Sequence, residues 1–274
     1  MRQAARTGLP ALLCLAAAAA GSGCAKPPRS AAGPPPNPTA PAPTAAEPSV
    51  SPPDPGAAWG AVADTAGMVR IRFARGTTSG ILDDSLPAGG ERAYLIGALQ
   101  GQVMLAHAIA WSDPRHGSGG QTSVRVYRAD GAELPAPGRA GPLWSGRLPT
   151  TGDYVVRVRA TGGPAPYTLA VQIPRRVVVD RDNPSASYSG LAPSRAPVDF
   201  LIKGDRGRLL QVELRSEDRP SHLHIYGLDD GVQLAPLADR RQRYAGPFPA
   251  TQDYVVSVVP AGEGGGYELL VGVR

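Results

Sequence analysis

Apolar and polar residues alternate with a period of two along most of the chain after residue 67. In one such segment Tyr154, Val156 and Val158 share one side of an extended chain, while Arg157 and Arg159 lie on the other. This pattern predicts a half-buried antiparallel strand. The next segment carries Tyr167, Leu169, Val171 and Ile173 on its apolar side and Thr168, Ala170 and Gln172 on its polar side.

Turn residues separate these segments, and no helical period longer than two turns occurs after Gly56. Asp130–Gly131 and Asp230–Gly231 supply hairpin-type turns at matching places. Short strands at a spacing of roughly 8 to 12 residues are typical of β-sandwiches. The sequence therefore predicts an all-β fold of antiparallel β-sandwich modules, of the jelly-roll or immunoglobulin-like kind.

An internal repeat sets the number of modules. The segment 147–173 returns as 247–273, with 11 of 27 positions identical. Two tandem modules, 67–174 and 175–274, follow from this repeat, and roughly 100 residues are enough for a sandwich core.

The N-terminus has the features of an export signal. Arg2 and Arg6 are followed by the 12-residue apolar run Leu9–Ala20 and then by Gly-Ser-Gly-Cys, which ends at Cys24. This run is shorter than the roughly 20 residues of a membrane-spanning helix. Ordinary secretion with cleavage near residue 20 is one interpretation.

The same residues resemble bacterial lipoprotein precursors. The resemblance implies that residues 1–23 are a signal peptide and that Cys24 becomes the lipid-bearing (palmitate) first residue. Ala25 after that cysteine implies sorting to the outer membrane of a Gram-negative cell envelope, with the protein anchored on its periplasmic or surface face.

Residues 24–66 are predicted to be a disordered linker rich in Pro and Ala. There are 12 prolines between residues 25 and 55, and few apolar side chains that could form a core. Such a segment would act as a tether, with a Pro-rich ligand for a partner as the alternative.

Composition excludes several function classes. The two cysteines are Cys14, inside the apolar run, and Cys24, so no thiol remains for a disulfide, a metal or a nucleophile. Removing the two signal arginines from 28 basic residues leaves 26 against 23 acidic ones, a net charge of +3. That charge is too small to indicate nucleic-acid binding.

A second resemblance covers both modules. Its residues in the first module are Phe73, Tyr94, Gly101, Gln102, Trp144, Gly152, Asp153, Tyr154 and Tyr167. They are similar to the bacterial pre-peptidase C-terminal domain and to the g-type lysozyme inhibitors. The second module is degenerate, with Arg208, Tyr244 and Gln252 in place of Gln102, Trp144 and Gly152. The resemblance implies a binding or accessory domain rather than an enzyme.

The recurring Asp-Tyr pairs have a structural interpretation. Asp153 and Asp253 precede a strand and are expected to accept backbone N–H bonds at the turn. Tyr154 and Tyr254 are expected to form tyrosine corners, with the ring in the core and the hydroxyl bonded to backbone.

The sequence contains no nucleophile elbow, zinc-protease motif or phosphate-binding glycine loop. His222, His224 and Tyr226 would share one strand face while Leu223 and Ile225 face the core; a solvent face is the favoured interpretation and a metal site the alternative. Asp180, Asp182 and Asn183 are interpreted as a solvated turn rather than a calcium site. We expect no metal and no cofactor.

The first module has an extra loop, Trp111–Thr122, that the second lacks. Trp111, Arg115 and His116 give it an aromatic and cationic character suited to a sugar or peptide, and recognition is often placed in such loops. These three residues are the candidate ligand-binding residues. A flexible glycine loop without a partner is the alternative.

These observations lead to one functional hypothesis with two alternatives. The protein is expected to be a non-catalytic binding module, anchored through its lipid, for peptidoglycan, another polysaccharide or an exported protein. The alternatives are a lysozyme inhibitor, acting through the loop, and a structural spacer.

Overall fold

The computed structural model describes residues 67–112, 119–136, 141–179, 182–216 and 220–274. The predicted signal peptide and linker lie outside these residues. The described residues contain 17 strands and one 3-10 helix, Leu237–Asp239. The prediction of an all-β fold is confirmed.

Eight strands form the first sandwich. One sheet has the strand order β1-β3-β7-β5 and the other β2-β8-β4-β6. The strands are β1 Val69–Arg70, β2 Ser79–Leu86, β3 Glu91–Ala98, β4 Val103–Ala110, β5 Gln121–Arg128, β6 Leu143–Arg147, β7 Gly152–Thr161 and β8 Ala165–Gln172.

Nine strands form the second sandwich in the same arrangement. Its sheets have the orders β14-β13-β16-β11-β9 and β10-β17-β12-β15. The strands are β9 Arg175–Val177, β10 Ser185–Ala192, β11 Val198–Gly204, β12 Leu209–Arg215, β13 His222–Gly227, β14 Gln233–Ala235, β15 Arg243–Pro247, β16 Gln252–Val259 and β17 Gly265–Val273.

The antiparallel expectation needs one correction. The short β1 pairs with β3 in parallel, and β9 pairs with β11 in the same way. Each short strand precedes its sandwich and lies on a sheet edge, where a parallel partner needs no hairpin. The same exception in both copies shows that it belongs to the repeated unit.

Each sandwich has its own core, built from the predicted apolar faces. Tyr154, Val156 and Val158 lie in the first core, and Tyr254, Val256 and Val258 occupy the same places in the second. Alternation along a strand puts these side chains on one side of the sheet. Matching side chains of the two segments therefore occupy matching core positions.

Both predicted tyrosine corners are present. The Tyr254 hydroxyl donates to the Ala250 carbonyl oxygen at 2.8 Å and accepts from the Ala250 N–H at 3.1 Å. Tyr154 bonds the backbone of Thr150 in the same way, four residues upstream. The hydroxyl of each buried ring is thus hydrogen-bonded, and each tyrosine fixes the backbone just before β7 or β16.

The predicted roles of Asp153 and Asp253 are wrong in one respect. Their carboxylates bind arginine side chains rather than turn N–H groups. Arg70 donates two hydrogen bonds to Asp153, at 2.8 and 2.7 Å, and Arg176 does the same to Asp253, at 2.7 and 3.1 Å. Arg70 and Arg176 stand on the parallel strands β1 and β9, so each pair ties its short edge strand to the sandwich.

The outer face of β8 also differs from its predicted exposure. Thr168, Ala170 and Gln172, the polar side of the alternation, are buried. Thr168 donates to Asp83 at 2.6 Å, and Gln172 donates to the Pro197 carbonyl oxygen of the second sandwich at 2.7 Å. Within this face, which was expected to meet solvent, Gln172 instead contacts the other sandwich.

Candidate functional site

The two sandwiches pack together through an apolar cluster. Val103, Leu105 and Leu143, on the outer face of β4 and β6, contact Leu201, Tyr226 and Val255, on the outer face of β11, β13 and β16. Leu105 and Val255 have no exposed surface. Both sandwiches belong to one compact unit. We call this contact the seam.

A buried polar contact lies beside the apolar cluster. His107 of β4 and Asp199 of β11 form a hydrogen bond of 2.8 Å between Nε2 and a carboxylate oxygen. Their side chains are 9% and 0% exposed. Because a buried carboxylate without a partner is strongly unfavourable, the bond fixes how the two sheets register against each other.

A second ionic contact crosses the seam at its other side. Arg147 of β6 donates to Asp253 at 2.7 Å, on the carboxylate that Arg176 already holds. Burial alone would raise the pKa of Asp253, but the hydrogen bonds from Arg176 and Arg147 outweigh burial and hold the pKa below its ordinary value of 3.8. The carboxylate is therefore charged at neutral pH.

A cleft of about 540 Å³ opens between the sandwiches next to the His107–Asp199 contact. Residues of both sandwiches line it, so neither sandwich forms it alone. This size lies within the range of small-molecule sites, roughly 300–1,000 Å³. The lining comprises His107, Ile109, Gly141, Pro142, Leu143, Ser145, Pro197, His224, Tyr226, Gly231, Gln233, Leu237, Ser257 and Val259.

Two hydroxyl groups in the cleft are buried without a hydrogen-bond partner among the described residues. They belong to Ser257, which has no exposed surface, and Tyr226, which is 5% exposed and makes only a weak contact with the Ser145 side chain, outside hydrogen-bond geometry. Ser257 stands on β16 opposite Asp199 on one side and His224 on the other. Burial of a hydroxyl without a partner is unfavourable by about 1–3 kcal/mol, so such groups point to an unmet bonding need.

His224 completes the polar side of the cleft. Its ring packs on Tyr226 with a centroid distance of 4.8 Å. Burial, followed by the nearby His107, lowers the pKa of His224. The imidazole is therefore neutral at pH 7 and can donate one hydrogen bond and accept another.

The prediction that the two histidines and Tyr226 share the outward face of one strand is confirmed. The prediction that this face meets solvent is wrong for His224 and Tyr226. Leu223 and Ile225 lie in the core, so His222, His224 and Tyr226 face outward as expected. His224 and Tyr226 are not on a solvent face, because the first sandwich covers Tyr226 and His224 lines the cleft. Within the described ranges, no group of three or more His, Cys, Asp and Glu residues is placed to hold a metal ion.

The candidate loop residues are only partly described. Trp111 follows β4, and its backbone N–H donates to the Pro166 carbonyl oxygen at 3.0 Å. The Arg195 guanidinium lies over the Trp111 ring, 4.4 Å from the ring centroid. Arg195 belongs to the second sandwich, so this ring contributes to the contact between the sandwiches. Arg115, His116 and the lipid-attachment residue Cys24 lie outside the described residues, as does Asp180.

Sequence reasoning missed His107, Asp199 and Ser257. One signal was available: β4 reads Val-Met-Leu-Ala-His-Ala-Ile-Ala and is apolar on both faces, which is typical of a strand buried on both sides. If the first module stood alone, Val103 and Leu105 on its outer face would be exposed, and their apolar character would have no explanation. The partner sheet could not be identified from that pattern.

Comparisons with known proteins find partial similarity to solved structures. No protein-family model and no curated protein matches the chain. PliG of Aeromonas hydrophila, a periplasmic inhibitor of g-type lysozyme, is 26% identical over 38% of this chain and 94% of its own, with a TM-score of 0.30. PliG of Salmonella Typhimurium is 19% identical over 36% and 96%, with a TM-score of 0.29. The PBSX exported protein XepA is 12% identical over 72% and 86%, with a TM-score of 0.25.

In the part of the chain that the structure describes, no helix has the length and apolar character needed to cross a bilayer.

The seam is predicted to make the two sandwiches unfold together. Leu105→Gln places at this position the residue that occupies the equivalent site of the second sandwich, Gln211. It should weaken the seam by about 2–4 kcal/mol, because it removes a fully buried side chain and buries an amide. Differential scanning calorimetry of the mature chain should then show two transitions, or one broadened toward lower temperature.

The matched control for this change is Gln211→Leu. It makes the reciprocal substitution on β12, outside the seam, and should keep the wild-type transition. A Leu105→Gln protein with an unchanged single transition would show that the seam does not couple the sandwiches.

The Asp253 contact predicts a pH-dependent share of stability. Its depressed pKa means that the contact stabilises the fold fully above the unfolded value near 3.8 and is lost as pH falls through the folded value. Asp253→Asn should lower stability by about 1 kcal/mol above about pH 5, since both arginines are half exposed. The difference between wild type and variant in thermal midpoint should shrink below about pH 4.

Asp205→Asn, a change at an exposed turn position, provides the control and should show no such difference. A gap between wild type and Asp253→Asn that stays constant down to about pH 2 would contradict the assignment.

Proposed function

We propose that this chain is an exported, lipid-anchored protein of the bacterial cell envelope that binds an envelope polymer or another exported protein and performs no reaction. The binding site is the cleft between the two sandwiches. The lipid on Cys24 and a Pro-rich tether would hold this site away from an outer-membrane surface.

The observation that carries the proposal is the composition of the cleft. It is walled by both sandwiches and combines apolar side chains with two buried hydroxyls that lack partners. Binding sites for small ligands combine these features, because the apolar walls supply affinity and the few polar groups supply orientation. A spacer without a ligand would gain stability by replacing these hydroxyls with apolar groups.

The same side chains argue against a reaction. Ser257 is the buried hydroxyl nearest to an acid and a base in the cleft, opposite Asp199 and His224. The base that Asp199 orients is His107, and no hydrogen bond links Ser257 to either histidine among the described residues. A nucleophile needs a base within hydrogen-bond reach, so this arrangement favours binding.

The seam supports the proposal by fixing the cleft. Because Leu105, Leu201 and Val255 are buried across it, the cleft walls are held in place before a ligand arrives. A preformed site avoids the free energy that ordering two mobile modules would require.

Lipid anchoring is predicted to depend on one side chain. Cys24→Ser removes the thiol that would be acylated, so the protein should move from the membrane fraction to the soluble fraction of cells that express it. Fractionation followed by immunoblotting measures the distribution, and mass spectrometry of the wild-type N-terminal peptide should show acyl chains on Cys24. A wild-type protein found in the soluble fraction with an unmodified thiol would contradict anchoring.

Polymer or protein capture is predicted to depend on the cleft. Immobilised mature protein should retain material from peptidoglycan, polysaccharide or exported-protein fractions. Leu237→Trp should reduce retention by about tenfold, because a larger ring at the cleft mouth blocks entry. Val232→Trp is the control, since residue 232 is similarly exposed and does not line the cleft.

Three outcomes separate the alternatives. Retention of nothing from any fraction contradicts a binding function and favours the spacer. Equal retention by the Leu237→Trp and Val232→Trp proteins contradicts the cleft as the site. Inhibition of a lysozyme panel that deletion of residues 111–122 abolishes, with Leu237→Trp fully active, would favour the inhibitor.

A further inference from the structure

The described lining of the cleft carries no fixed charge. Lys, Arg, Asp and Glu are absent from it, and the only titratable groups are two histidines and a tyrosine. His107 is occupied by Asp199. His224 is neutral at pH 7, as described above, and burial raises the pKa of Tyr226 well above its ordinary value. An ionic ligand would lose its hydration here without gaining an opposite charge.

The cleft nevertheless offers several neutral hydrogen-bonding groups. Hydroxyls come from Ser145, Tyr226 and Ser257, an amide from Gln233 and an imidazole from His224. These groups come from four strands and both sandwiches. Since each hydroxyl both donates and accepts, they suit ligand groups that also do both, which are hydroxyl groups. A purely hydrocarbon ligand would leave Tyr226 and Ser257 unpartnered.

Apolar surface faces these polar groups. Ile109, Leu143 and Val259 line the cleft, and the ring of His224 lies against that of Tyr226 on one wall. A sugar ring has the matching character, with hydroxyls around its edge and C–H groups on its faces that pack on aromatic and aliphatic side chains. Three other described clefts of similar volume each contain at least one charged side chain: Asp153 in one, and Glu213 and Arg243 in the other two.

We infer that the cleft binds a neutral saccharide unit, with the hydroxyls of Tyr226 and Ser257 bonding to sugar hydroxyls and the apolar walls and His224 ring packing on the sugar face. This inference rests on the proposed binding function and narrows the envelope polymer to one with an uncharged sugar at an accessible position.

The test uses the full mature chain and three sugars of one size. N-acetylglucosamine is neutral, glucosamine is cationic and glucuronate is anionic. Isothermal titration up to about 10 mM sugar should show saturable binding of the neutral sugar, at least about tenfold tighter than either charged one. Glucose and mannose extend the neutral set.

The variants remove one hydroxyl each. Tyr226→Phe and Ser257→Ala should each weaken binding of the neutral sugar by about tenfold. Both should keep or raise the thermal midpoint, because Ser257 has no partner inside the protein and the contact of Tyr226 with Ser145 is weak. Tyr127→Phe is the matched control. Tyr127 holds the position on β5 that Tyr226 holds on β13, its hydroxyl is also buried without a described partner, and it does not line the cleft.

Each outcome of these measurements supports or overturns the saccharide inference or the proposed function. Neutral-sugar binding that both cleft variants weaken and Tyr127→Phe leaves unchanged supports the inference. Absence of binding for all the neutral sugars, equal binding of the charged sugars, or a lower thermal midpoint for both cleft variants overturns it. If free sugars do not bind but capture of envelope material still requires an open cleft, the saccharide class fails and the proposed function stands. If capture fails and neutral sugars bind, the proposed function fails and the saccharide class stands.

Discussion

Burial of the outer face of β4 against the second sandwich is the interaction on which the site depends. Val103 and Leu105 would face water in an isolated first sandwich, and in the chain they are buried against Leu201 and Val255. Apolar burial is not directional, so it could hold the sheets in several registers. The His107–Asp199 bond selects one of them, because any slip would leave a carboxylate buried without its partner. In this register both copies of the fold line the cleft, and the second copy supplies the hydroxyls of Tyr226 and Ser257.

Comparison of the two copies explains why the contact forms once. Leu201, Tyr226 and Val255 of the second sandwich occupy the same register positions as Leu95, Tyr127 and Val155 of the first, which form a small cluster with Met68 and Ala93. The outer face of the other sheet, formed by β4 and β6 in the first sandwich and by β12 and β15 in the second, differs between the two copies. Where the first sandwich has Leu105, His107 and Leu143, the second has Gln211, Glu213 and Arg243. A polar outer face ends a stack of repeats, as capping repeats do in solenoid proteins. The described outer face of β12 and β15 therefore lacks the apolar residues that form the seam.

The sequence predicted the parts of the fold that depend on local periodicity. The strand alternation around Tyr154 and Tyr254, the two copies and both tyrosine corners follow from one chain segment each. It did not predict which outer face would be buried, because Thr168 and Gln172 read as solvent-facing in a half-buried strand. Thr168 bonds to Asp83, 85 residues before it, and Gln172 bonds to Pro197, 25 residues after it, and no local pattern encodes these pairings. Ser257 is the clearest case: an outward serine on a strand is ordinary until His224 and Asp199 are placed beside it.

Two buried hydroxyls at the seam reduce stability. A fold selected for stability alone would place apolar groups at positions 226 and 257, where hydroxyls lie buried without partners of good hydrogen-bond geometry. Other buried polar groups avoid this loss: the Tyr254 hydroxyl is bonded to backbone, and Asp253 holds two arginines. At the seam, two packed sheets can hold such unmet groups in place. Natural proteins retain such local losses where a ligand restores the missing bonds, and a neutral hydroxyl-bearing ligand is the class that would restore these.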